Sequence, residues 1–351
     1  NREEACLYAL NTLTADMVEY DAKTTVSTNG TTVVIAGSKA KEMVNNGNTD
    51  GKVFDKDGVM QFAEKYFDNL TVKTGSDDFS RPANVWKLKA EEIGTYTNAA
   101  DATYTAEVKA STIYKDLGLG SKIEAKDVSV YEDGVKKTNT VAIEKGDDTK
   151  VGNSGNGVLT QIFVDNDDEA LTIVEINTYL AKTDDYNEKK ETLKFNEIYG
   201  YGDVKLTKKL VKAVEAVELD DIASIKDYKD GDMVLLTIAN GEVKTITPAE
   251  TVKGTEIDEF SKQDYVNAGQ KYSYAATGKL DGSFGIDELN NYDNKNLDDK
   301  TFDLYLDPYG YVIGARQVDG DDNFMFVVGY DRSSTVLAKA VDKALAIFTD
   351  G

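Results

Sequence analysis

The feature that most constrains this chain is a recurring pattern of short β-branched and aromatic runs separated by Asn-Gly and Asp-Gly dipeptides. Those dipeptides tolerate positive φ at both central positions of a two-residue turn, so they close antiparallel hairpins with the twist that strands need. Asn29-Gly30, Asp133-Gly134 and Asn240-Gly241 are the clearest. The last separates an apolar run at 233–238 from one at 243–246, which predicts a tight hairpin there. Asp307-Pro308-Tyr309-Gly310 joins 302–306 to 311–313 in a similar way: Pro pre-sets φ and Gly closes the turn. Phe302, Leu304 and Leu306 then share one buried face. Two further runs, 158–164 and 171–180, flank the acidic sequence Asp165-Asn166-Asp167-Asp168-Glu169 and predict a long hairpin with a charged tip.

Helical spacing appears in four places. Asn1 stands three residues before Glu4, an N-capping arrangement, and Cys6, Leu10, Leu13 and Met17 follow at helical intervals. Val59, Phe62, Ala63 and Tyr66 repeat the pattern behind Asp57, as do Leu210, Val214 and Val217, and Leu337, Val341, Leu345 and Phe348. At 351 residues the chain is long enough for two compact units. The glycine-rich stretch Gly152-Asn153-Ser154-Gly155-Asn156-Gly157 marks the expected boundary. The sequence therefore predicts a mainly β (α+β) chain: a short N-terminal helix over 1–20, then two small β-barrel or β-sandwich modules over 21–157 and 158–351 with a few packed helices.

Composition removes several kinds of chemistry. Histidine is absent, and with it the commonest general base and transition-metal ligand. Cys6 is the single cysteine, so no internal disulfide or thiolate zinc site forms, and its place on the helical stripe predicts a small buried hydrophobe. The 63 acidic residues outnumber 40 basic ones, a net charge of -23 that repels a phosphate backbone and argues against nucleic acid as a partner. No run approaches the roughly 18 apolar residues of a membrane span, and the chain opens at Asn1 with no initiator Met or secretory leader, as an excised fragment would.

The opening NREEACLYALNTL, followed by VEYD, resembles the closing helix of an S-layer homology domain and its exit into the next module, with Asn1, Arg2 and Glu4 on the motif's Thr, Arg and Glu positions. The segments DDFSRPANVWKLKAEEIGTYT, ATYTAEV, VGNSGNGVLTQIFVDNDD, TIVEINTYLAK, YKDGDMVLLTIANGEV and FDLYLDPYGYVIGARQV extend the resemblance over most of the chain, to surface-exposed regions of S-layer homology proteins from anaerobic Gram-positive bacteria. The resemblance implies a non-enzymatic structural segment displayed outside the wall, anchored to wall polysaccharide by upstream S-layer homology domains, with neighbouring surface-layer subunits or glycans as partners. Arg2 and Glu4 would be the remnant of the polymer-binding motif.

The residues themselves offer candidate sites, each with a plainer structural reading. Asp165, Asp167, Asp168 and Glu169, and separately Asp319, Asp321 and Asp322, are oxygen clusters of the kind that hold calcium, the one cofactor the sequence suggests, although acidic turns usually just face water. Asp55-Lys56-Asp57-Gly58 with Glu64 matches part of a calcium loop whose leading carboxylate is replaced by Val53. Tyr305, Tyr309 and Tyr311 cluster at one turn, where they would serve glycan or protein contact in an adhesin or carbohydrate-binding module, or pack as strand tyrosines. Trp86 sits in an alternating apolar pattern that favours sheet packing over sugar stacking. Glycoside hydrolysis needs two acids at a defined separation, and no motif singles out a pair. A Lys–Asn isopeptide crosslink beside an acid is a further covalent candidate.

Overall fold

The computed structural model describes residues 2–20, 23–37, 39–45, 51–53, 58–165, 169–201, 216–261, 264–279, 289, 297, 300–318, 325–331 and 343–348. Its contacts divide the chain into two units: residues 1–101 with 162–172, and residues 102–161 with 173–351. The glycine-rich stretch 152–157 lies inside the second unit. The protein is mainly β with short helices. Every sheet among the described residues is open, so of the expected barrel or sandwich modules no closed barrel occurs among them. No described helix is long and apolar enough to cross a membrane.

In the first unit, the helix Arg2–Leu13 meets the core through Leu10 and Leu13, which pack on Val53, Ala63, Leu70, Val72 and Trp86. Cys6 is exposed, a correction to its expected burial: the helix reaches this cluster through its last turn, and Cys6 lies one turn short of it. Trp86 pairs across the sheet with Val72 and is buried, the packing role its strand pattern predicts. Strands Leu70–Ser76, Pro82–Leu88 and Glu91–Thr97 form that antiparallel sheet. The helix expected over 59–66 is the short Phe62–Tyr66, with Val59 bridged to Val44 instead.

The second unit contains most of a five-stranded sheet in the order Val135–Lys136, Val128–Glu132, Ala170–Ile176, Leu159–Asp165, Ala102–Tyr104. The predicted hairpin between Leu159–Asp165 and Ala170–Ile176 is its centre. A four-stranded sheet orders Phe195–Tyr199, Tyr179–Thr183, Met233–Ala239 and Glu242–Pro248, burying Ala181, Val234, Leu236 and Ile238 in one core. Asn240 and Gly241 take φ of 52° and 89°, the two positive values of the turn that the sequence predicts. Strands Glu250–Glu256, Thr301–Leu306 and Val312–Val318 make a third sheet, and Phe302, Leu304 and Leu306 are buried on one face as their spacing requires.

Two helical expectations give way to strand at the residues described, while Leu210, Val214, Leu337 and Val341 lie outside them. Val217 lies in the strand Val217–Glu218, with 202–215 outside the described residues. Leu345 and Phe348 lie in Lys343–Phe348, which pairs antiparallel with Met325–Asp331. A short apolar run satisfies periods of both 2 and 3.6, and here cross-strand hydrogen bonding decides between them.

Candidate functional site

The most concentrated polar chemistry among the described residues lies in the second unit, where the glycine-rich stretch runs beside two buried acids. Strand Val128–Glu132 ends in the Asp133-Gly134 turn, with φ of 49° and 81°. The adjacent strand Ala170–Ile176 carries Glu175, whose carbonyl accepts from the Asp133 amide at 2.9 Å. Beyond its end, Asn177 donates its backbone N–H to Asp133 Oδ1 at 2.9 Å and its side-chain amide to Asp133 Oδ2 at 3.0 Å and Glu132 Oε1 at 3.1 Å. Tyr179 donates to Asp133 Oδ2 at 2.6 Å, and Asn153 Nδ2 to Glu132 Oε1 at 3.0 Å. Lys137 pairs with the other oxygen of Glu132.

These neighbours sort the three acids. Burial pushes Glu132 upward, but the hydrogen bonds from Lys137, Asn153 and Asn177 outweigh it and hold this carboxyl below its usual value. Burial dominates at Asp133, which is raised in spite of its donors. Glu175 has the fewest partners: it is 1% exposed, and among the described residues neither carboxylate oxygen has a hydrogen-bond partner. Its pKa is pushed up to about 7 by burial and then by the charge of Glu132, against weaker opposing influence from the Asn153 backbone, Lys150 and Lys137. Asp307 lies on the third sheet's turn. Its Oδ1 accepts from the Tyr309 and Tyr311 amides at 2.8 and 2.9 Å, and burial raises its pKa to about 6 against those bonds.

Glycine is required where the loop meets these two acids. Gly152 has φ of 54°, and a Cβ there would stand 2.1 Å from Glu175 Oε1. Gly157 has φ of 83°, and its Cβ would stand 1.9 Å from Asp307 Oδ2. Between them Ser154 is buried, and its hydroxyl accepts from the Val108 amide at 3.2 Å. The stretch read from sequence as a module boundary is thus backbone laid against buried carboxyl groups.

Tyr179→Phe should destabilise the second unit by about 2 kcal/mol, since Asp133 loses a short donor in a low-dielectric setting. Urea unfolding checks this, and an unchanged midpoint would mean that the bond contributes nothing net.

The sequence-predicted sites are dispersed. Arg2 and Glu4 are exposed on the first helix, and Asp165 and Glu169 are exposed on either side of the hairpin tip. Asp167, Asp168, Asp319, Asp321 and Asp322 lie outside the described residues, as do Asp55 and Asp57. Glu64 is buried and committed to its own unit, accepting from Asn45 Nδ2 at 2.9 Å, the Gln61 amide at 3.2 Å and the Val53 amide at 3.3 Å. No group of three or more acids or cysteines able to hold a metal occurs among the described residues. Tyr305 is 3% exposed in a core with Leu180, Leu235 and Ile313, while Tyr309 is exposed and Tyr311 half-buried, so the three do not share an outward face. Lys137, Asn153 and Asn177 converge on Glu132, but Lys137 is half-exposed and ion-paired, not the buried lysine that an isopeptide crosslink requires. The sequence reading missed Glu132, Asp133, Glu175, Asn177, Tyr179 and Asp307. The available clue was Glu175 itself, a charge inside the apolar run Leu171-Thr172-Ile173-Val174-Glu175-Ile176.

No protein family, curated protein or solved structure matches this chain.

Proposed function

We propose that this chain is a non-enzymatic structural segment of a bacterial cell-surface protein of S-layer type, displayed outside the wall and held there by S-layer homology domains that precede it. The observation that carries the non-enzymatic reading is the direction of two of the acids of raised pKa. Glu175 and Asp307 face the backbone of Gly152 and Gly157, whereas a hydrolase turns its acid toward the space its substrate occupies. The location rests on the resemblance of the opening helix and later segments, and the net charge of -23 suits a surface that stays hydrated beside wall polymer.

Antibodies against the chain test the location on the bacterium that makes it. Protease treatment of intact cells is expected to remove the antigen, and chaotrope extraction of walls to release it. Antigen confined to the cytosolic fraction would overturn the reading. Hydrolysis of a glycan by the purified chain, abolished by Glu175→Gln, would overturn the non-enzymatic half.

A further inference from the structure

Among the described residues, strands Lys23–Thr28 and Thr31–Ala36 form a two-stranded sheet of their own, closed by Asn29 and Gly30 at φ of 53° and 78°. Two strands are marginal in water, and three or four with an apolar face are the usual minimum for independent stability. This hairpin turns Val26, Val33 and Ile35 outward at 45%, 53% and 52% exposure. They lie on one face, since Val26 pairs with Val33 and Thr24 with Ile35. Its charge pattern is equally unusual for this protein. Residues 24–38 contain no Asp, Glu, Lys or Arg in a chain of net charge -23. Edge strands are normally protected by a charge, a proline or a bulge, and this one has none between Thr24 and Ala36.

We propose that the outer edge of Thr31–Ala36 is a self-association surface, pairing antiparallel with the same strand of a second copy of this chain. Two copies of so acidic a protein repel over most approaches, and an uncharged strand is where that repulsion is least. A neutral β-branched strand has no charge with which to select a foreign charged partner, but it is complementary to itself in a two-fold arrangement. In a two-residue hairpin the residues flanking the turn exchange hydrogen bonds, which directs the amides of Thr32, Val34 and Ala36 outward. A two-fold axis at Val34 then sets Val33 opposite Ile35 of the second copy on the already apolar face. The result is a four-stranded sheet in place of two isolated hairpins.

The inference stands on edge geometry and charge, independently of where the protein resides. Sedimentation velocity of the whole chain over a range of concentrations is expected to show a monomer–dimer equilibrium that salt strengthens by screening the repulsion. Ile35→Lys places a cation on each copy's exposed face, and Val34→Pro removes an outward amide without touching the intrachain ladder. Each should weaken the dimer by about ten-fold or more while leaving the melting temperature and circular dichroism of the monomer unchanged. Val135→Lys, at an exposed valine of the second unit, should dimerise as the parent does. A chain that remains monomeric at high concentration and salt, or dimers equally tight in Ile35→Lys and Val34→Pro, would overturn the proposal. So would loss of dimer in Val135→Lys. A monomeric chain recovered from the cell surface would remove this edge and leave the proposed location intact.

Discussion

Gly157→Ala will lower the melting temperature of the protein by on the order of 10 °C, from a destabilisation of about 3 kcal/mol, while Gly310→Ala will cost only about 1 kcal/mol. The two glycines share nearly the same backbone, φ of 83° and 84°, so the conformational penalty of a side chain in the left-handed region is common to both. The surroundings differ. Nothing lies within 4 Å of a Cβ at Gly310, whereas one at Gly157 would stand 1.9 Å from Asp307 Oδ2 and 3.2 Å from the Tyr311 ring. Asp307 cannot swing aside cheaply, because its other oxygen is fixed by the Tyr309 and Tyr311 amides. Relief of the clash therefore breaks turn hydrogen bonds to a buried carboxyl. Combining Gly157→Ala with Asp307→Ala removes the obstacle, and the double variant should lose clearly less than the sum of the two single losses. Equal costs at Gly157 and Gly310 would show that the loop does not rest on Asp307.

That contrast also shows what the sequence made legible. Asn29-Gly30, Asp133-Gly134, Asn240-Gly241 and the Asp307–Gly310 turn were readable because each is a local demand of the backbone: a two-residue reversal needs positive φ, and few residues supply it. The alternation of Phe302, Leu304 and Leu306 was readable for the same reason, since one strand defines its own two faces. Gly152 and Gly157 were not. Glycine is used both where the chain needs freedom and where a neighbour comes too close for a Cβ, and the neighbours here, Glu175 and Asp307, lie 23 and 150 residues further along. The strand at Leu345 and Phe348 was hidden for a related reason, because its partner Met325–Asp331 settles the ambiguity and the local spacing does not. The polar cluster drew no attention because its members are unremarkable singly. Only the pairing of Val128–Glu132 with Ala170–Ile176 brings Glu132, Asp133 and Glu175 together.

Glu175→Gln will make the protein more stable than the parent at pH 8, by about 2 kcal/mol, and will leave it within about 1 kcal/mol at pH 5. The carboxyl of Glu175 has a folded pKa of about 7 against 4.5 for the same group in water, so the native state holds this proton more tightly than the unfolded chain. The stability it contributes is complete below about pH 4.5 and is lost as the pH rises through about 7. At about 1.4 kcal/mol per pH unit, the full loss by pH 8 is about 3 kcal/mol. Glutamine keeps the shape of the neutral acid, cannot ionise, and presents an amide rather than a second negative charge to Glu132. Asp307, raised from 3.8 to about 6, adds a loss of the same sign over a lower window, but it is common to parent and variant and cancels in their difference. Urea midpoints measured at pH 5, 6.5 and 8 should therefore diverge progressively, with the parent falling below the variant. A difference that stays constant across that range would mean that Glu175 ionises as freely in the folded protein as in the unfolded one. The carboxyl would then have access to solvent, and the backbone at Gly152 would stand off from it instead of covering it.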